Sequence, residues 1–170
     1  MFDDNETLYD EVVMMGDQAG IKLEITGGIP TWEAFPSLLH QDILDRIRAS
    51  IHPLAFGETG CACVHTHDVH IRFSDGSLKR PDISIFCRRP DQTRTAITLL
   101  PEAVIEIISE GYAAKDFDIG VPFYLKMGVR DVIVFDPDTN IASHFRPGAA
   151  KAEHASPHAF TLACGCAVTV

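Results

Sequence analysis

The sequence lacks an excess of basic residues, a long hydrophobic run and a secretory signal. Only 14 lysines and arginines face 24 aspartates and glutamates, which gives a formal net charge of −10. Because DNA phosphates favour basic surfaces, this balance argues against tight, sequence-independent binding of nucleic acid. No stretch reaches the roughly 18 consecutive apolar residues of a membrane span, and the acidic start is unlike a secretory signal. We therefore expect a cytoplasmic protein that makes no contact with membranes.

The sequence also lacks repeats, low-complexity runs and the pattern of a disulfide framework. Its five cysteines are odd in number, and thiols in a cytoplasmic protein are expected to stay reduced. The chain has 170 residues, of which 46% are hydrophobic, so its size and composition are those of one globular domain. We expect residues 1–170 to form a single domain.

The first half of the chain predicts a β-hairpin, a helix and a strand. Polar and apolar residues alternate over 22–32 on both sides of Gly27-Gly28, as in an N-terminal β-hairpin with a tight turn. Ser37 is a suitable N-cap for a helix that runs to Ala49. A period-two pattern over 61–73 predicts a strand whose two faces differ.

The second half predicts a parallel pair of strands. The runs 103–108 and 132–135 are almost continuously apolar, as in strands that are covered on both faces. A helical pattern over 113–127 separates them, and such a crossover implies that the two strands are parallel. Further strands are expected to finish an antiparallel edge near 142–146, 159–163 and 167–170. The whole pattern predicts an α/β fold of the α+β mixed-sheet kind, with a central mixed β-sheet flanked by helices.

Two carboxylates lie in or beside predicted buried strands. Glu106 stands in the middle of an apolar strand, where an ionised side chain is expensive unless it is paired or bound to a metal. Asp82 opens a predicted strand over 81–86 and alternates there with Ile83 and Ile85, so it faces away from their packed side. The two carboxylates share one face if the two strands are neighbours.

Converging carboxylates support two interpretations. As a site of hard oxygen ligands they suit Mg²⁺ or Mn²⁺, which activates water and neutralises the charge that forms when a phosphodiester is attacked. Alternatively, Glu106 pairs with an arginine and Asp82 closes a turn after Pro81, because structural ion pairs also perturb buried carboxylates. The spacing alone leaves both interpretations open.

The segments around these carboxylates occur in a characteristic order. They are Arg80–Ile85, Pro101–Ser109, Asp116, Tyr124, Gly128-Val129 and Val134–Pro137, preceded by Leu23–Ile25 with Gly28 and by His40. This arrangement, over roughly residues 20–147, resembles a bacterial family of predicted restriction endonucleases in the PD-(D/E)XK, or restriction-endonuclease-like, superfamily. The resemblance rests on order and spacing together, since no single motif is specific.

The resemblance implies a metal-dependent nuclease core that acts on DNA. Asp82 and Glu106 would be the ligands of Mg²⁺ or Mn²⁺, and Glu24 would be a third acidic group of the site. A lysine would orient or activate the attacking water. The sequence departs from the family here, because the two usual positions of that lysine hold Ile108 and Gly120.

Lys115 is the lysine that the sequence offers instead. Pro122 disturbs the predicted helix by removing a backbone donor, and a rearranged first turn would let Lys115 reach the site. Lys126 lies two residues beyond Tyr124 and is expected in solvent. Without a lysine, the reaction loses a positive group where negative charge develops, which costs several kcal/mol.

Two functions therefore remain in view. One is a divalent-metal-dependent nuclease in which Lys115 assists, and the other is a catalytically inactive member of the same fold that serves as a binding or assembly module. The pair Asp82 and Glu106 favours the first, whereas Gly120 and the net charge favour the second. A homodimer is expected for either, because nucleases that share this fold often pair.

Cysteines and histidines form the other motif with metal-binding chemistry. The pattern Cys-x-Cys occurs twice, and its first copy runs into histidines: Cys61, Cys63, His65 and His67, and later Cys164 and Cys166. Zinc takes such ligands, but alternate residues on a straight strand lie about 6.6 Å apart, which is too far to surround one ion. A buried face lined with small thiols is the simpler interpretation, so we expect no zinc.

The remaining polar residues of interest lie near the carboxylates in sequence or pattern. Lys79-Arg80 and Arg88-Arg89 are expected to form a positive patch near Asp82 that could hold a phosphate. His65 and His67 could line the same cleft. We expect His40 and Tyr124 to fill the core.

Overall fold

The computed structural model describes residues 4–55, 60–91 and 95–170. The helices in these ranges are α1 (Asp4–Gln18), α2 (Leu38–Ala49) and α3 (Val121–Met127), and a π-helical segment, Lys115–Gly120, leads into α3. The strands are β1 (Ile21–Thr26), β2 (Ile29–Ala34), β3 (His52–Pro53), β4 (Val64–His67), β5 (Ile71–Arg72), β6 (Leu78–Lys79), β7 (Ile83–Phe86), β8 (Ala103–Ile107), β9 (Asp131–Asp136), β10 (Ile141–Phe145), β11 (Ala152–Ala155), β12 (Ala159–Thr161) and β13 (Cys166–Thr169). No helix in these ranges has the length and hydropathy to cross a membrane.

A six-stranded sheet forms the centre of the fold, in the order β11-β10-β9-β8-β7-β4. Strands β8 and β9 are parallel, and the other neighbours pair antiparallel, so the sheet is mixed. The chain passes from β8 to β9 through the π-helical segment and α3. The sequence prediction of a central mixed sheet with a parallel pair is confirmed.

The predicted N-terminal hairpin is confirmed as well. Strands β1 and β2 pair antiparallel over six residues each, and Gly27 and Gly28 connect them with φ angles of +57° and +81°. Positive φ at both central residues is what a tight hairpin turn requires, and glycine adopts it without steric cost. The hairpin is one side of a smaller sheet with the order β2-β1-β6-β5.

Apolar side chains cover both faces of the central sheet. On one face, Leu44 and Ile47 of α2 pack against Ile83, Ile85 and other side chains of the sheet. On the opposite face, α3 packs on the side chains at the intervening positions of the strands, which include Val104, Val132 and Val134. Burial on both faces explains why β8 and β9 are almost continuously apolar in sequence.

The C-terminal strands differ from the sequence prediction. The chain adds β11 to the edge of the central sheet, next to β10, where the pattern predicted no strand. Strands β12 and β13 leave that sheet and pair with β3 in a three-stranded sheet of their own. Their short alternating patterns specify strands but not partners, since pairing depends on contacts that are distant in sequence.

The predicted strand over 61–73 is also wrong in extent. It is interrupted because Cys63 and Asp68 adopt positive φ angles, +51° and +53°. Only β4 and β5 are formed within it. Cys61 and Cys63 therefore precede the sheet and do not continue β4 as one straight strand.

The helix predicted over 113–127 is present, but its first half is a π-helix. The N–H of Val121 donates to the carbonyl of Asp116, five residues earlier, and Pro122 follows without a backbone donor. A π-helical turn holds one residue more than an α-helical turn and re-aims the side chains that precede it. The helix ends at Gly128, whose φ of +101° allows the left-handed cap that its sequence position predicted.

Truncation of Ile105 tests how much the packing of the central sheet contributes to stability. Ile105 is 0% exposed and lies between Ile83 and Ile133 in register, so we expect Ile105→Ala to leave a cavity and to lower the free energy of unfolding by about 2–5 kcal/mol. Urea denaturation measures this loss. Leu39→Ala is the control, because Leu39 is 64% exposed and its truncation should change stability by less than about 0.5 kcal/mol. Equal effects of the two substitutions would contradict the described core.

Candidate active site

Asp82 and Glu106 meet on adjacent strands. Strands β7 and β8 pair antiparallel with Ile83 opposite Ile105, and continuing this register by one residue brings Asp82 opposite Glu106. The backbone N–H of Asp82 donates to Glu106 Oε2 at 3.1 Å, and the N–H of Ile107 donates to Asp82 Oδ2 at 2.7 Å. The two side chains are 5% and 3% exposed. The local sheet geometry thus holds both carboxylates at one buried point.

Three further side chains reach this pair from other elements. Lys22 of β1 donates from Nζ to Asp82 Oδ1 at 3.1 Å, and the hydroxyl of Tyr124 on α3 donates to Glu106 Oε1 at 2.8 Å. His40 of α2 places Nε2 at 3.2 Å from both Asp82 Oδ2 and the carbonyl oxygen of Ile107. Because both of those atoms are acceptors, the proton of the ring lies on Nε2.

A second group of charges surrounds Glu24 of β1. Lys79 donates to Glu24 Oε2 at 2.6 Å, and the backbone N–H of Arg80 donates to Oε1 at 2.7 Å. Lys115 Nζ lies 3.9 Å from the same Glu24 Oε2, 2.9 Å from Glu33 Oε1 and 3.5 Å from Asp116 Oδ1.

Lys22 and Glu33 connect the two groups. Lys22 Nζ lies 3.4 Å from Glu33 Oε1, the atom that also accepts a hydrogen bond from Lys115. The acidic and basic residues therefore form one continuous network. We call it the charge cluster, and its members are Lys22, Glu24, Glu33, His40, Lys79, Asp82, Glu106, Lys115, Asp116 and Tyr124.

The carboxylates of the charge cluster differ in their pKa shifts. Burial alone would raise the pKa of Asp82, but Lys22 and His40 outweigh it and hold the pKa well below the ordinary value. Burial would also raise the pKa of Glu24, but the charges of Lys79 and Lys115 outweigh this effect and lower the pKa. These two groups stay ionised at neutral pH.

Glu106 and Asp116 have shifts in the opposite direction. Burial raises the pKa of Glu106 well above the ordinary value, and the charges of Asp82 and Asp116 raise it further. Burial also raises the pKa of Asp116, to about 7, against the opposing effect of Lys115. Burial and the Glu106 carboxylate raise the pKa of the Tyr124 hydroxyl, which keeps it a donor. Burial and the neighbouring carboxylates thus favour the protonated form of Glu106.

The lysines stay protonated although they are buried. Burial acts to lower the pKa of Lys22, but Asp82 and Glu106 outweigh it and the pKa is raised. The pKa of Lys115 is raised in the same way by Glu24 and Glu106, against its burial. Both ammonium groups can therefore donate hydrogen bonds and stabilise negative charge, but neither can accept a proton near neutral pH.

The structure brings together all four residues that the sequence nominated for the site. Asp82, Glu106, Glu24 and Lys115 all belong to the charge cluster, and the π-helical segment carries Lys115 into it. His40 and Tyr124 are buried as expected, yet their polar atoms contact the carboxylates. Lys126 is exposed, as the sequence predicted.

Lys22 and Glu33 belong to the charge cluster, but the sequence pattern did not lead us to predict them as site residues. They face each other across the hairpin, and the two-residue turn sets this pairing from sequence alone. Lys22 and Glu24 alternate with the buried Leu23 and Ile25, so the signal was a charged face on a strand whose other face is apolar. That face was not identified as part of the site.

The expected basic patch and the expected role of two histidines are wrong. Lys79 is buried against Glu24, and Arg80 is bonded to Asp17 and Asp68, so their charges are already paired within the chain. Arg88 and Arg89 are exposed.

The histidines of β4 point the other way. His65 and His67 lie opposite Ile85 and Ile83 in register, so they lie on the face of α2 and not on the face of Asp82.

Two clefts flank the charge cluster. One, of about 480 Å³, is lined by His40 together with Ser37, Ile108 and Ser109. The other, also about 480 Å³, is lined by Lys115 beside Trp32. Each cleft thus reaches one member of the charge cluster, His40 on the side of α2 and Lys115 on the side of the π-helical segment.

The donor set of the cluster suits a hard cation. Asp82, Glu106 and Glu24 offer carboxylate oxygens, which are the ligands of Mg²⁺ and Mn²⁺. Within the described ranges, however, the groups of three or more His, Cys, Asp or Glu ligand atoms that lie within 4.8 Å of one another are made of cysteines. Asp82 and Glu106 therefore have no third acidic ligand at that distance. Mg²⁺ tolerates this, because it keeps several waters and binds through one or two carboxylates.

The fold is similar to that of a solved protein from Anabaena variabilis ATCC 29413. That crystal structure is described as "a putative nuclease belonging to DUF820"; the two chains share 20% sequence identity, the alignment covers 80% of this chain and 78% of the other, and the TM-score is 0.61. At this identity the similarity shows a shared fold. A cryo-EM structure of a DrdV–DNA complex aligns with 14% identity over 68% of this chain and 9% of that chain, with a TM-score of 0.34, which supports no inference. No curated protein matches the chain.

The sequence itself matches a family. Residues 6–162 match Uma2, which is described as "Putative restriction endonuclease", and this match spans nearly the whole chain. The expected resemblance over residues 20–147 is confirmed and extends further toward both ends. The chain therefore belongs to the Uma2 family and has its restriction-endonuclease-like fold.

Proposed function

We propose that this chain is a nuclease that hydrolyses phosphodiester bonds of DNA with a divalent cation, Mg²⁺ or Mn²⁺, bound by Asp82 and Glu106. Membership of a family described as restriction endonucleases supports the reaction class. The observation that carries the proposal is the charge balance of the buried cluster.

The charge cluster contains more negative than positive charge. Its described members include five carboxylates, Glu24, Glu33, Asp82, Glu106 and Asp116, and three ammonium groups, Lys22, Lys79 and Lys115. Counted with a neutral His40, two negative charges are left without compensation. Against its burial, the hydrogen bond to Asp82 raises the pKa of His40, and a protonated His40 would leave one such charge. Such an excess of negative charge is unfavourable in a buried region. Together with burial, it raises the pKa values of Glu106 and Asp116. One divalent cation would compensate both charges.

The hydrogen bonds of Asp82 and Glu106 leave room for a cation. A carboxylate offers about four lone pairs in all. Asp82 Oδ1 accepts from Lys22 alone, and the two oxygens of Glu106 accept from Tyr124 and from the N–H of Asp82. Each of these three oxygens retains acceptor capacity, and their hydrogen bonds fix the orientation that a ligand needs.

The surrounding side chains have distinct tasks in this proposal. A bound Mg²⁺ or Mn²⁺ would lower the pKa of a water and neutralise charge on the phosphoryl oxygens. Tyr124 and His40 hold Glu106 and Asp82 in place through hydrogen bonds. The protonated Lys22 and Lys115 donate hydrogen bonds and stabilise the negative charge that develops on the phosphate.

Lys22 is our candidate for the lysine that Ile108 and Gly120 do not supply. Its Nζ contacts Asp82 directly at 3.1 Å, whereas Lys115 pairs with Glu33 and Asp116 on the far side of the cluster. A lysine on β1 can thus place its ammonium beside the metal-binding carboxylates even though it precedes them by 60 residues in the chain. Lys115 retains a supporting role through its proximity to Glu24.

The alternative function is a binding or assembly module that has kept the fold and lost the reaction. The net charge of −10 and the internal pairing of Lys79 and Arg80 favour it, because both weaken the attraction for DNA. The two functions differ in one measurable property. A module without chemistry has no need to bind a divalent cation at Asp82 and Glu106.

The first prediction concerns the pH dependence of stability without metal. Asp116 has a folded pKa of about 7, above its ordinary value, so the stability that its proton contributes is fully present below the ordinary value and is lost as pH rises through about 7. We expect the free energy of unfolding of the wild type to fall between about pH 5 and pH 8 by about 1–4 kcal/mol more than that of Asp116→Asn. Urea denaturation with a chelator present measures both.

Asp118→Asn is the matched control for that experiment. Asp118 belongs to the same π-helical segment but is exposed, so its variant should keep the pH dependence of the wild type. If Asp116→Asn and the wild type lose the same stability over this range, then Asp116 is ionised in the folded protein and the charge balance above is wrong.

The second prediction concerns metal binding. We expect calorimetric titration of the metal-free wild type with Mn²⁺ to show one bound ion per chain, and Glu106→Gln to weaken binding by at least about tenfold. Because burial and the charges of Asp82 and Asp116 favour the neutral form of Glu106, we expect Glu106→Gln to keep the stability of the metal-free wild type. Titration in two buffers of different ionisation enthalpy should show that metal binding releases protons.

Asp82→Asn should weaken Mn²⁺ binding as well, whereas Asp118→Asn should not. Binding that survives in Glu106→Gln and Asp82→Asn would place the ion elsewhere. A folded wild type that binds no Mn²⁺ at millimolar concentration would favour the binding module over the nuclease.

The third prediction compares three lysines in a Mn²⁺-dependent cleavage assay on plasmid DNA. We expect Lys22→Met to lower the rate by about 10²–10³-fold, because it removes the cation beside Asp82. Lys115→Met should have a smaller effect, and the exposed Lys126 should be replaceable by methionine without loss. Circular dichroism and unfolding curves establish the folded fraction of each variant, so that rates are compared per folded molecule. A larger loss in Lys115→Met than in Lys22→Met would assign the lysine to the π-helical segment.

A further inference from the structure

All five cysteines of the chain converge at one place. The sulfur atoms of Cys61, Cys63 and Cys166 lie within 4.8 Å of one another, and so do those of Cys61, Cys87 and Cys164. Cys61 belongs to both groups. Three regions that are distant in sequence therefore deliver their thiols to one point, which we call the cysteine cluster.

The cysteine cluster lies on the opposite face of the central sheet from the charge cluster. Its members pack with Ile83, Ile85 and the side chains of α2, whereas Glu106 contacts α3 on the other face. Buried apolar side chains of the C-terminal sheet, including Phe160 and Val168, enclose it. Four of the five cysteines are buried and Cys87 is half-buried, as expected for a structural metal site, in which protein ligands occupy every coordination position.

The backbone at both Cys-x-Cys pairs is bent toward this point. Cys63 has a φ of +51°, which is uncommon for a residue with a side chain, and Gly165, between Cys164 and Cys166, has a φ of +92°. On a straight strand the alternate residues would lie about 6.6 Å apart. Because both pairs are bent, that spacing does not prevent their sulfurs from reaching one ion. Strained backbone of this kind is concentrated at functional sites.

The structure records an oxidised form of the cluster. Cys61 is bonded to Cys87 and Cys63 to Cys166, which corrects the sequence-based expectation of reduced thiols, and Cys164 lies beside them. The sulfurs of Cys61 and Cys166 belong to different disulfides and are 3.6 Å apart. Four thiolates around Zn²⁺, each at about 2.3 Å, have their sulfurs about 3.8 Å apart. The separation of the Cys61 and Cys166 sulfurs is thus close to that in a tetrahedral zinc site, and opening the two disulfides would let the bonded sulfurs move apart toward the same spacing.

We propose that the cysteine cluster of the reduced chain binds one Zn²⁺ ion. Cys61, Cys87 and Cys164 supply three thiolates, and Cys63 or Cys166 supplies the fourth. The ion would tie the C-terminal sheet to the residues that flank β4 and β7, independently of any reaction at Asp82 and Glu106.

The conversion between the two forms is a balanced redox reaction. Opening the two disulfides takes four electrons. A dithiol supplies these together with four protons and becomes a disulfide, whereas a phosphine supplies the electrons, takes oxygen from water to become a phosphine oxide, and leaves the protons of that water to the thiols. The ligand thiols then lose their protons to solvent as the ion binds. Reoxidation by a small-molecule disulfide, which is reduced to its thiols, removes four electrons, reforms the two disulfides and releases the ion.

Cobalt substitution tests the proposal on the full chain. We reduce the protein with a phosphine under argon, remove the reductant and metals, and titrate with Co²⁺, whose tetrahedral thiolate complexes absorb strongly in the near ultraviolet and the visible. We expect saturation at one equivalent per chain and displacement of the colour by one equivalent of Zn²⁺. The untreated disulfide form is the control and should give no such spectrum. A reduced wild type without the thiolate spectrum, or an oxidised form that gives the same spectrum, overturns the proposal.

Variants then identify the ligands. Cys61→Ser, Cys87→Ser and Cys164→Ser should each lose the tetrahedral spectrum, whereas Cys63→Ser and Cys166→Ser should each keep it, because one can replace the other. The variant Glu106→Gln should bind Co²⁺ at the cysteines as the wild type does, which separates this site from the proposed nuclease site. Retention of the spectrum in Cys61→Ser contradicts the assigned ligand set, and the wild-type titration decides the proposal even if a variant fails to fold.

Discussion

The burial of the pair Asp82 and Glu106 is the constraint on which the rest of the structure depends. A carboxylate inside a protein needs donors for its oxygens, and these come from β1, α2, α3 and the backbone of β7 and β8. The hairpin and both flanking helices are thereby joined to the centre of the main sheet by polar contacts as well as by packing. Any shift in one of these elements would leave a buried polar atom unsatisfied, so the pair helps to specify a single arrangement.

The pair Asp82 and Glu106 adds unfavourable negative charge to the metal-free protein, and the same two carboxylates are the proposed ligands of the cation. A cluster in which carboxylates outnumber ammonium groups is unfavourable in the metal-free protein, and protons on Glu106 and Asp116 reduce the cost. The apolar side chains on both faces of the central sheet offset what remains. A site that is poorly compensated when empty has the electrostatic preference that a divalent cation satisfies. Buried ion pairs alone would need no such imbalance, so the charge balance is the observation that supports the proposed metal site over a purely structural role for Asp82 and Glu106.

The central sheet separates two kinds of chemistry. Hard oxygen donors and lysines gather on the face of α3, and soft sulfur atoms gather on the face of α2. The alternation of side chains along β7 and β8 produces this separation, since Asp82 and Glu106 point one way while Ile83, Ile85 and Ile105 point the other. The metal proposed for each face would therefore meet a different ligand class, and neither site shares a residue with the other.

Local patterns in the sequence determined the hairpin, α2 with its cap and the parallel pair of strands, because each depends on period, turn residues or neighbouring positions. Even the pairing of Lys22 with Glu33 was implicit in the two-residue turn. The pairing of β7 with β8, which brings Asp82 opposite Glu106, was decided by the tertiary structure. Only the tertiary structure decided that Lys22 contacts Asp82, that β12 and β13 pair with β3, and that Cys87 joins the other four cysteines. These contacts join residues that are distant in sequence, for example 60 positions apart for Lys22 and Asp82 and 26 for Cys61 and Cys87. Their free energy comes from burial and packing in the assembled protein, which no local pattern contains.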